Sequence, residues 1–480
     1  MKKSVGRKAT LVEALIPISF LVVFLAITIF KLGGTPHIPL ILTAVLASLI
    51  ATLRLKYPWK YIEESMFETI KMAMQAILIT ILIGVLIGTW IISGVVPCMV
   101  YWGLKIISPQ VFLVATVITC SIISLSTGSS WSTIGTVGVA LLGIGQSLGM
   151  PAGLVAGAII SGAYFGDKLS PLSETTNLAP AMAGTDLFTH IKFMLYSTIP
   201  SLIICIIIYG VIGFKYSSQN LDMTQINLIR STLESTYKTL SPILLLAPLF
   251  VISLVIFKIP AIPGLVGGAL IGAVFAVVFQ GASLGEIMEV AQNGYMSTTG
   301  VSSVDELLSK GGLMSMMSTI ALILCALSLG GILEKTGMLE AIASSLLKLA
   351  KGTFGTIACT MITCALTNII AGEQYLSIVL PGRMYKMEFE KRGLHPKMLS
   401  RALEDSGTLT SVLIPWTSCG AYASGTLGVS TFAYAPFAFL NIINPFVSLA
   451  MVAMKIKIVK IEDEPETAIV YKEKEITTVN

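Results

Sequence analysis

Two carboxylates, Asp167 and Glu174, stand seven residues apart in the stretch GDKLSPLSETTN at 166–177. Around them lie Lys168, the helix-breaking Pro171 and the hydroxyls of Ser170, Ser173, Thr175 and Thr176, directly after the apolar run LVAGAIISGAYF. As an ordinary surface loop, the stretch would leave Asp167 and Lys168 solvated. As a break in a membrane helix, it would let both carboxylates face one cavity. No other loop this polar has apolar runs so tight on both sides, which favours the second reading. A carboxylate at bilayer depth costs roughly 2.5–3.5 kcal/mol on insertion scales, so it is a functional candidate by default. Burial favours its protonated form and brings titration towards neutral pH. A group that holds a proton or a cation, but not both, couples the movements of the two.

The rest of the chain supplies the setting. It has 480 residues, 54% hydrophobic and only 12% charged, with a mean hydropathy of +0.86. A soluble chain of this length needs more charge to cover its surface. Apolar runs such as 11–30, 76–92 and 199–214 are long enough to cross a hydrocarbon core of about 30 Å as helices. They lack the alternation of barrel strands. The expected fold is therefore an all-α polytopic membrane protein with about 10–14 segments, by hydrophobic-run length. The basic head MKKSVGRKAT precedes a run too long for a signal peptide and without a cleavage site, so it reads as an uncleaved first span.

The net charge of +5 sits mostly in loops and tails. In such a protein it reports orientation rather than nucleic-acid binding. Seven cysteines without a CxxC pair and three dispersed histidines give no metal or redox motif. HExxH is absent, and Lys168 beside Ser170 or Ser173 is the single conceivable catalytic dyad. Neither enzyme activity nor a cofactor is expected.

The two halves overlay at a shift of about 244 residues. ITC at 118–120 falls on ITC at 362–364, Gly128 on Gly372, and Ser161-Gly162 on Ser406-Gly407. This common order predicts a duplicated architecture. Its loops differ in charge. The segment 383–401 carries Arg383, Lys386, Lys391, Arg392, Lys397 and Arg401, while its partner 141–150 is uncharged. The segment 54–71 is basic and its rough partner 281–310 acidic. Since Lys and Arg collect in cytoplasmic loops, equivalent loops should lie on opposite faces, as in an inverted-topology repeat. The expected division is 1–215, an external linker 216–240, an inverted second repeat 241–455 and a cytoplasmic tail 456–480, with both termini cytoplasmic.

Four interruptions correspond in pairs: 126–133 with 371–377, and 166–177 with 413–425. The first pair reads either as tips of re-entrant hairpins or as breaks in spanning helices. Irregular backbone at membrane depth is tolerated where protein or water satisfies it, so the four breaks should line a cavity. Ser129 and Ser130, Glu373 at the AGEQ tip, Asp405 and Asn368 join Asp167 and Glu174 as candidates. Asp405 could instead partner Arg401, and Asn368 could simply join helices. Hard oxygen ligands of this kind suit an alkali cation.

Taken together, STGSSWSTIGTVG, GDKLSPLSETTNLAP, GEQYLSIVLPGRMYK and LIPWTSCGAYASGTLGV resemble the NhaC-type sodium/proton antiporter family of the ion-transporter superfamily, over about residues 10–455. The resemblance implies sodium/proton exchange in the bacterial plasma membrane and a fold of inverted repeats with hairpins and broken helices. It implies ion coupling at Asp167, Ser173, Glu174, Thr175, Asn177, Asn368, Glu373, Thr417 and Ser418, with Na+ at Asp167, Glu174, Asn177 and Glu373. The family includes malate–lactate antiporter-like and amino-acid carrier-like members. Small carboxylates or amino acids are therefore alternative cargoes beside Na+ and H+. The lipid bilayer and a second copy of the chain complete the expected partners.

Overall fold

The computed structural model describes residues 6–106, 108–218, 223–257 and 259–464. Residues 1–5 of the basic head, 219–222 of the expected linker and 465–480 of the expected tail lie outside them. Among the described residues every regular element is a helix, apart from a single antiparallel bridge between Leu394 and Lys460. Seven helices are long and apolar enough to cross a membrane, or eight if the bent pair Thr431–Phe437 and Phe439–Ala453 is one span. Several present apolar side chains outward. Leu187–Tyr216 is only 28% buried and exposes Ile203, Ile207, Val211 and Phe214. Lipid is the solvent that accepts such a face. The protein is a multi-pass membrane protein.

The order of elements repeats. Met74–Ile92, Val95–Ile106, Pro109–Thr127, Ala152–Leu169 and Glu174–Ala183 recur as Met317–Lys335, Met338–Leu347, Gly352–Ala371, Pro396–Leu403 and Ser418–Leu427, each starting 243 or 244 residues later. Each half therefore contributes a hairpin and a broken helix.

The hairpin tips are glycine caps. Gly128 (φ 67°) and Gly372 (φ 68°) are left-handed and donate their N–H groups to Ser124 and Asn368. That backbone strains any residue with a Cβ. A Cβ on Gly128 would also come within 2.6 Å of the Leu172 Cβ.

Contacts at the helix ends decide how the hairpins enter. At one end of the molecule, Lys8 pairs with Glu340 at 3.0 Å and Lys335 with Glu68 at 2.7 Å. Arg392 donates to the Ala350 carbonyl at 2.9 Å. Thus both feet of the second hairpin, near 350 and 392, stand at the end that carries Lys8. At the other end, Tyr101 donates to Glu234 at 2.6 Å and Trp102 to the Leu240 carbonyl at 3.1 Å. Gln280 reaches the Ser93 carbonyl there at 3.2 Å. The feet of the first hairpin meet each other, since a Cβ on Gly145 would sit 2.8 Å from the Phe112 ring. Gly213, at the far end of Leu187–Ser218, lies against Gln110.

The 19 residues of Met74–Ile92 separate the two ends by about 28 Å. Each hairpin therefore has both feet at one end, and the two enter from opposite ends. The short Val95–Ile106 and Met338–Leu347 lie one at each end. The expected linker is itself structured: Met223–Thr236 is a helix packed on Val95–Ile106 and Ser302–Leu308.

The first hairpin packs tightly on the first broken helix because glycines line the contact. A Cβ on Gly162 would lie 2.4 Å from the Val117 carbonyl oxygen, and one on Gly166 2.3 Å from that of Ser121. Small residues let backbones approach where no hydrophobic drive exists between helices in lipid.

Candidate functional site

Each break is fixed by local chemistry. Ala152–Leu169 stops before Ser170 and Pro171, and helix resumes at Glu174, with the Ser173 side chain accepting from Thr176 N–H. In the second half, Pro396–Leu403 passes through a π turn, Glu404–Thr408, and ends at Ser411. Helix resumes at Ser418, with Thr417 accepting from Gly420 N–H at 3.0 Å. At the hairpin tips, Ser129 accepts from Ser132 N–H at 3.1 Å, and Glu373 caps Gln374–Lys391.

The four breaks meet at one cavity of about 340 Å³. Its deep wall is formed by Ser130, Asp167, Ser173, Glu373, Ser418 and Cys419, all buried. Its rim carries Gln75, Leu172, Glu174, Ile259 and Pro260, all exposed. Gln75 and Ala261 lie at the starts of Met74–Ile92 and Ala261–Phe275. Those helices finish beside Ser93 and Gln280 at the linker end, so the cavity opens towards the end that carries Lys8. On its other side, Trp131 stacks on Tyr422 with ring centroids 4.0 Å apart, and the Tyr422 hydroxyl donates to the Trp131 carbonyl at 2.7 Å.

Three carboxylates reach this cavity. Asp167 Oδ2 accepts from Ser130 twice, from the N–H at 3.1 Å and the hydroxyl at 2.6 Å. The donor N–H belongs to the first turn of a helix, where the backbone dipole favours negative charge. Glu373 Oε1 accepts from Tyr375 N–H at 3.4 Å. Its Oε2 is buried without a hydrogen-bond partner. Such an oxygen is costly unless something outside the described protein atoms satisfies it. Glu174 stands at the rim, held by the Tyr375 hydroxyl and by Gln75 Nε2, the latter at 3.1 Å. Among the described residues, no Lys, Arg or His lines the cavity.

The structure thus gathers Ser129, Ser130, Asp167, Ser173, Glu174, Thr175, Glu373 and Ser418 around one space. It does not bring the other four candidates there. Asn177 turns back to the Pro171 and Ser173 carbonyls, bracing the break. Asn368 donates to the Gly407 carbonyl and to Thr410, joining hairpin to π turn. The Thr417 hydroxyl is spent on the Ser411 and Ile414 carbonyls and on its helix cap. Asp405 is fully buried outside the cavity, bound to Lys168 and accepting from Asn444 at 2.8 Å and Ser197 at 3.3 Å.

The Lys168–Asp405 pair crosses between the two halves and leaves no amine for a serine–lysine dyad. Arg401 lies 4.0 Å from the same carboxylate and 4.6 Å over the Phe193 ring. Sequence reasoning missed Tyr375 and Gln75. It also passed over Glu404, whose buried carboxylate accepts from Thr175 at 3.2 Å. Tyr375 stands in the quoted GEQY stretch, but no sequence signal links it to Glu174. Among the described residues, no three His, Cys, Asp or Glu side chains group as a resident metal centre.

A profile of the Na+/H+ antiporter family matches residues 162–456, from the first broken helix to the end of the last membrane helix. The chain belongs to this family. It is 40% identical to the Na+/H+ antiporter NhaC of Alkalihalophilus pseudofirmus, over 92% of this chain and 95% of that one. It is also 40% identical to the malate-2H+/Na+-lactate antiporter of Bacillus subtilis, over 91% and 93%. An arginine/ornithine antiporter of Halobacterium salinarum matches at 35% identity over 92% and 91%. All three relatives are named as antiporters. Three of the four breaks fall inside the matched region, with Asp167, Glu174 and Glu373, while the first hairpin tip at 128–130 precedes it.

Proposed function

We propose that this protein is a secondary active transporter that exchanges Na+ for H+ across the bacterial plasma membrane by alternating access. One observation carries the reading. A cavity between two repeats holds three carboxylates and several hydroxyls and, among the described residues, no basic side chain. Asp167 is the group on which proton and cation exclude each other, Glu373 supplies a second buried carboxylate, and Glu174 stands at the entrance. Hydroxyls of Ser129, Ser130, Ser173, Thr175 and Ser418, with carbonyls freed at the breaks, complete an oxygen shell suited to a hard cation. No organic cofactor takes part. The functional unit comprises repeats 1–215 and 241–455, a linker 216–240 facing outward and a tail from 456 inside, with both termini cytoplasmic. In that orientation the present conformation is open to the cytoplasm.

The relatives named for malate and lactate raise an organic-acid reading. A carboxylate cargo would need free helix N-termini or cations. The N-terminal N–H groups of Ser130, Thr176, Tyr375 and Gly420 already donate to the chain's own Asp167, Ser173, Glu373 and Thr417. The geometry therefore favours a cation. The test is purified protein in proteoliposomes with an imposed sodium gradient and an internal pH dye. Proton flux that requires Na+, and whose apparent sodium KM falls as pH rises, is the expected result. Flux that requires malate or lactate would overturn the reading.

A further inference from the structure

The cavity is larger and more aromatic than a bare alkali ion requires. Its volume of about 340 Å³ corresponds to on the order of ten waters at roughly 30 Å³ each. Trp131 and the ring of Tyr375 border it, and one face of Trp131 is fixed by its stack on Tyr422. Aromatic faces attract organic cations, and a planar guanidinium adds paired N–H donors that match carboxylate oxygens. The acceptors for those donors are present. Asp167 and Glu373 are both buried and Glu174 lies on the way in. The partnerless Glu373 Oε2 is a waiting acceptor.

From this juxtaposition we infer a second class of cargo. The site admits small monovalent organic cations of the guanidinium type, which compete with Na+ for the same carboxylates and exchange for H+. The inference rests on the reading of this cavity as the cation site. No covalent step is involved: the cation enters, and the carboxylate proton leaves to the opposite side on the return.

The probe is guanidinium, which keeps its charge across the working pH range and so cannot carry protons through the lipid by itself. In the same proteoliposomes, guanidinium chloride at millimolar concentration is added against an N-methylglucamine control. The expected result is competitive inhibition: the apparent sodium KM rises while maximal proton flux is unchanged. A guanidinium gradient alone should also drive proton flux. Trp131→Leu should weaken guanidinium relative to sodium by about 3- to 30-fold, and Trp131→Phe should recover part of that ratio. Sodium-driven flux that guanidinium neither inhibits nor replaces overturns the inference and leaves the sodium reading standing. Guanidinium-driven flux without sodium-driven flux supports the inference and overturns the sodium reading. If neither cation drives flux, both fail.

Discussion

The two halves share a scaffold but not their charges. At the 244-residue shift, Asp167 matches Ser411, Glu174 matches Ser418, Glu373 matches Ser129 and Asp405 matches Ser161. The sequence overlay of Ser161 on Ser406 is one residue off, since Ser124 donating to the Ala163 carbonyl and Asn368 to the Gly407 carbonyl are the same contact at a shift of 244. In all four pairs a carboxylate in one half stands where the other half has a serine. The duplicated fold supplies breaks, glycine caps and hydroxyls twice over, because those satisfy backbone at membrane depth at little cost. A carboxylate in the same place is expensive, and it occurs once per pair. Symmetry thus builds the cavity, and three of the four departures from it line that cavity, while the fourth, Asp405, ties the halves through Lys168.

The largest expected effect comes from erasing the departure at Asp167, the buried carboxylate held by the Ser130 N–H and hydroxyl. Asp167→Asn keeps shape and hydrogen bonding but removes the charge. Sodium-dependent proton flux should fall to the level of empty vesicles, while the protein stays folded and inserted. Adding Ser411→Asp to that variant restores a carboxylate at the symmetric position, away from the Ser130 N–H that holds Asp167. It should not restore flux. Recovery in the double variant would show that the halves are interchangeable. Glu373→Gln should lower flux by about 10- to 100-fold, the range of a lost hydrogen bond to a charged group.

Next comes the tie between the halves. Lys168 and Asp405 are both fully buried. Removing one partner of a buried pair typically costs about 3–5 kcal/mol, because the other is left as an uncompensated charge. Lys168→Met should therefore lower the thermal unfolding temperature in detergent sharply. Lys168→Met with Asp405→Leu should recover only part of that loss, since it removes the pair but leaves the buried Arg401, Asn444 and Ser197 without the carboxylate they share. A double variant as unstable as the single one would show that Lys168 acts through packing instead.

What the sequence revealed follows the same division. The breaks at 128, 170–173, 372 and 412–417 are marked locally by glycine, proline and hydroxyls inside apolar runs, so they were legible. Whether the hairpins span or re-enter was not, because that depends on contacts such as Arg392 to Ala350. Lys168 and Asp405 lie 237 residues apart, and pairing over that distance leaves no periodic trace. Asn177, Asn368 and Thr417 look like ligands by type. The Asn177 amide and the Thr417 hydroxyl donate to backbone carbonyls instead, and the Asn368 amide to the Gly407 carbonyl, because broken helices leave carbonyls that nearby side chains must satisfy. Among the described residues, the Asn368 Oδ1 stays buried without a partner.

Glu174 tests the gradient of depth. It is exposed and tethered by Tyr375 and Gln75, so its charge is partly screened by water. Glu174→Gln should raise apparent sodium KM by no more than about fivefold at unchanged maximal flux. A loss as complete as that of Asp167→Asn would move the primary carboxylate to the rim.

The smallest effect concerns the two helices that precede the matching long spans, Trp59–Met72 and Ser302–Leu308. The Lys335 ammonium beside Glu68 holds that carboxyl below its usual value. The Ser297 hydroxyl, the Thr299 N–H and hydroxyl and the Gly300 N–H do the same for Asp305. For both groups the folded state favours the ionised form. Their contribution is therefore complete above the ordinary carboxylate range and is lost as pH falls through the lowered folded value. Acidification to about pH 3 should accordingly loosen both segments, seen as faster amide hydrogen exchange. Salt should separate them. At 1 M ionic strength the screening length is about 3 Å, which weakens an exposed ion pair such as Glu68–Lys335 but leaves short local hydrogen bonds largely intact. Exchange around 65–72 should rise with salt at neutral pH, while exchange around 297–305 should not. Equal responses to salt would mean that the two helices are held in the same way, and that the charge asymmetry between the two ends of the molecule does not extend to how they are anchored.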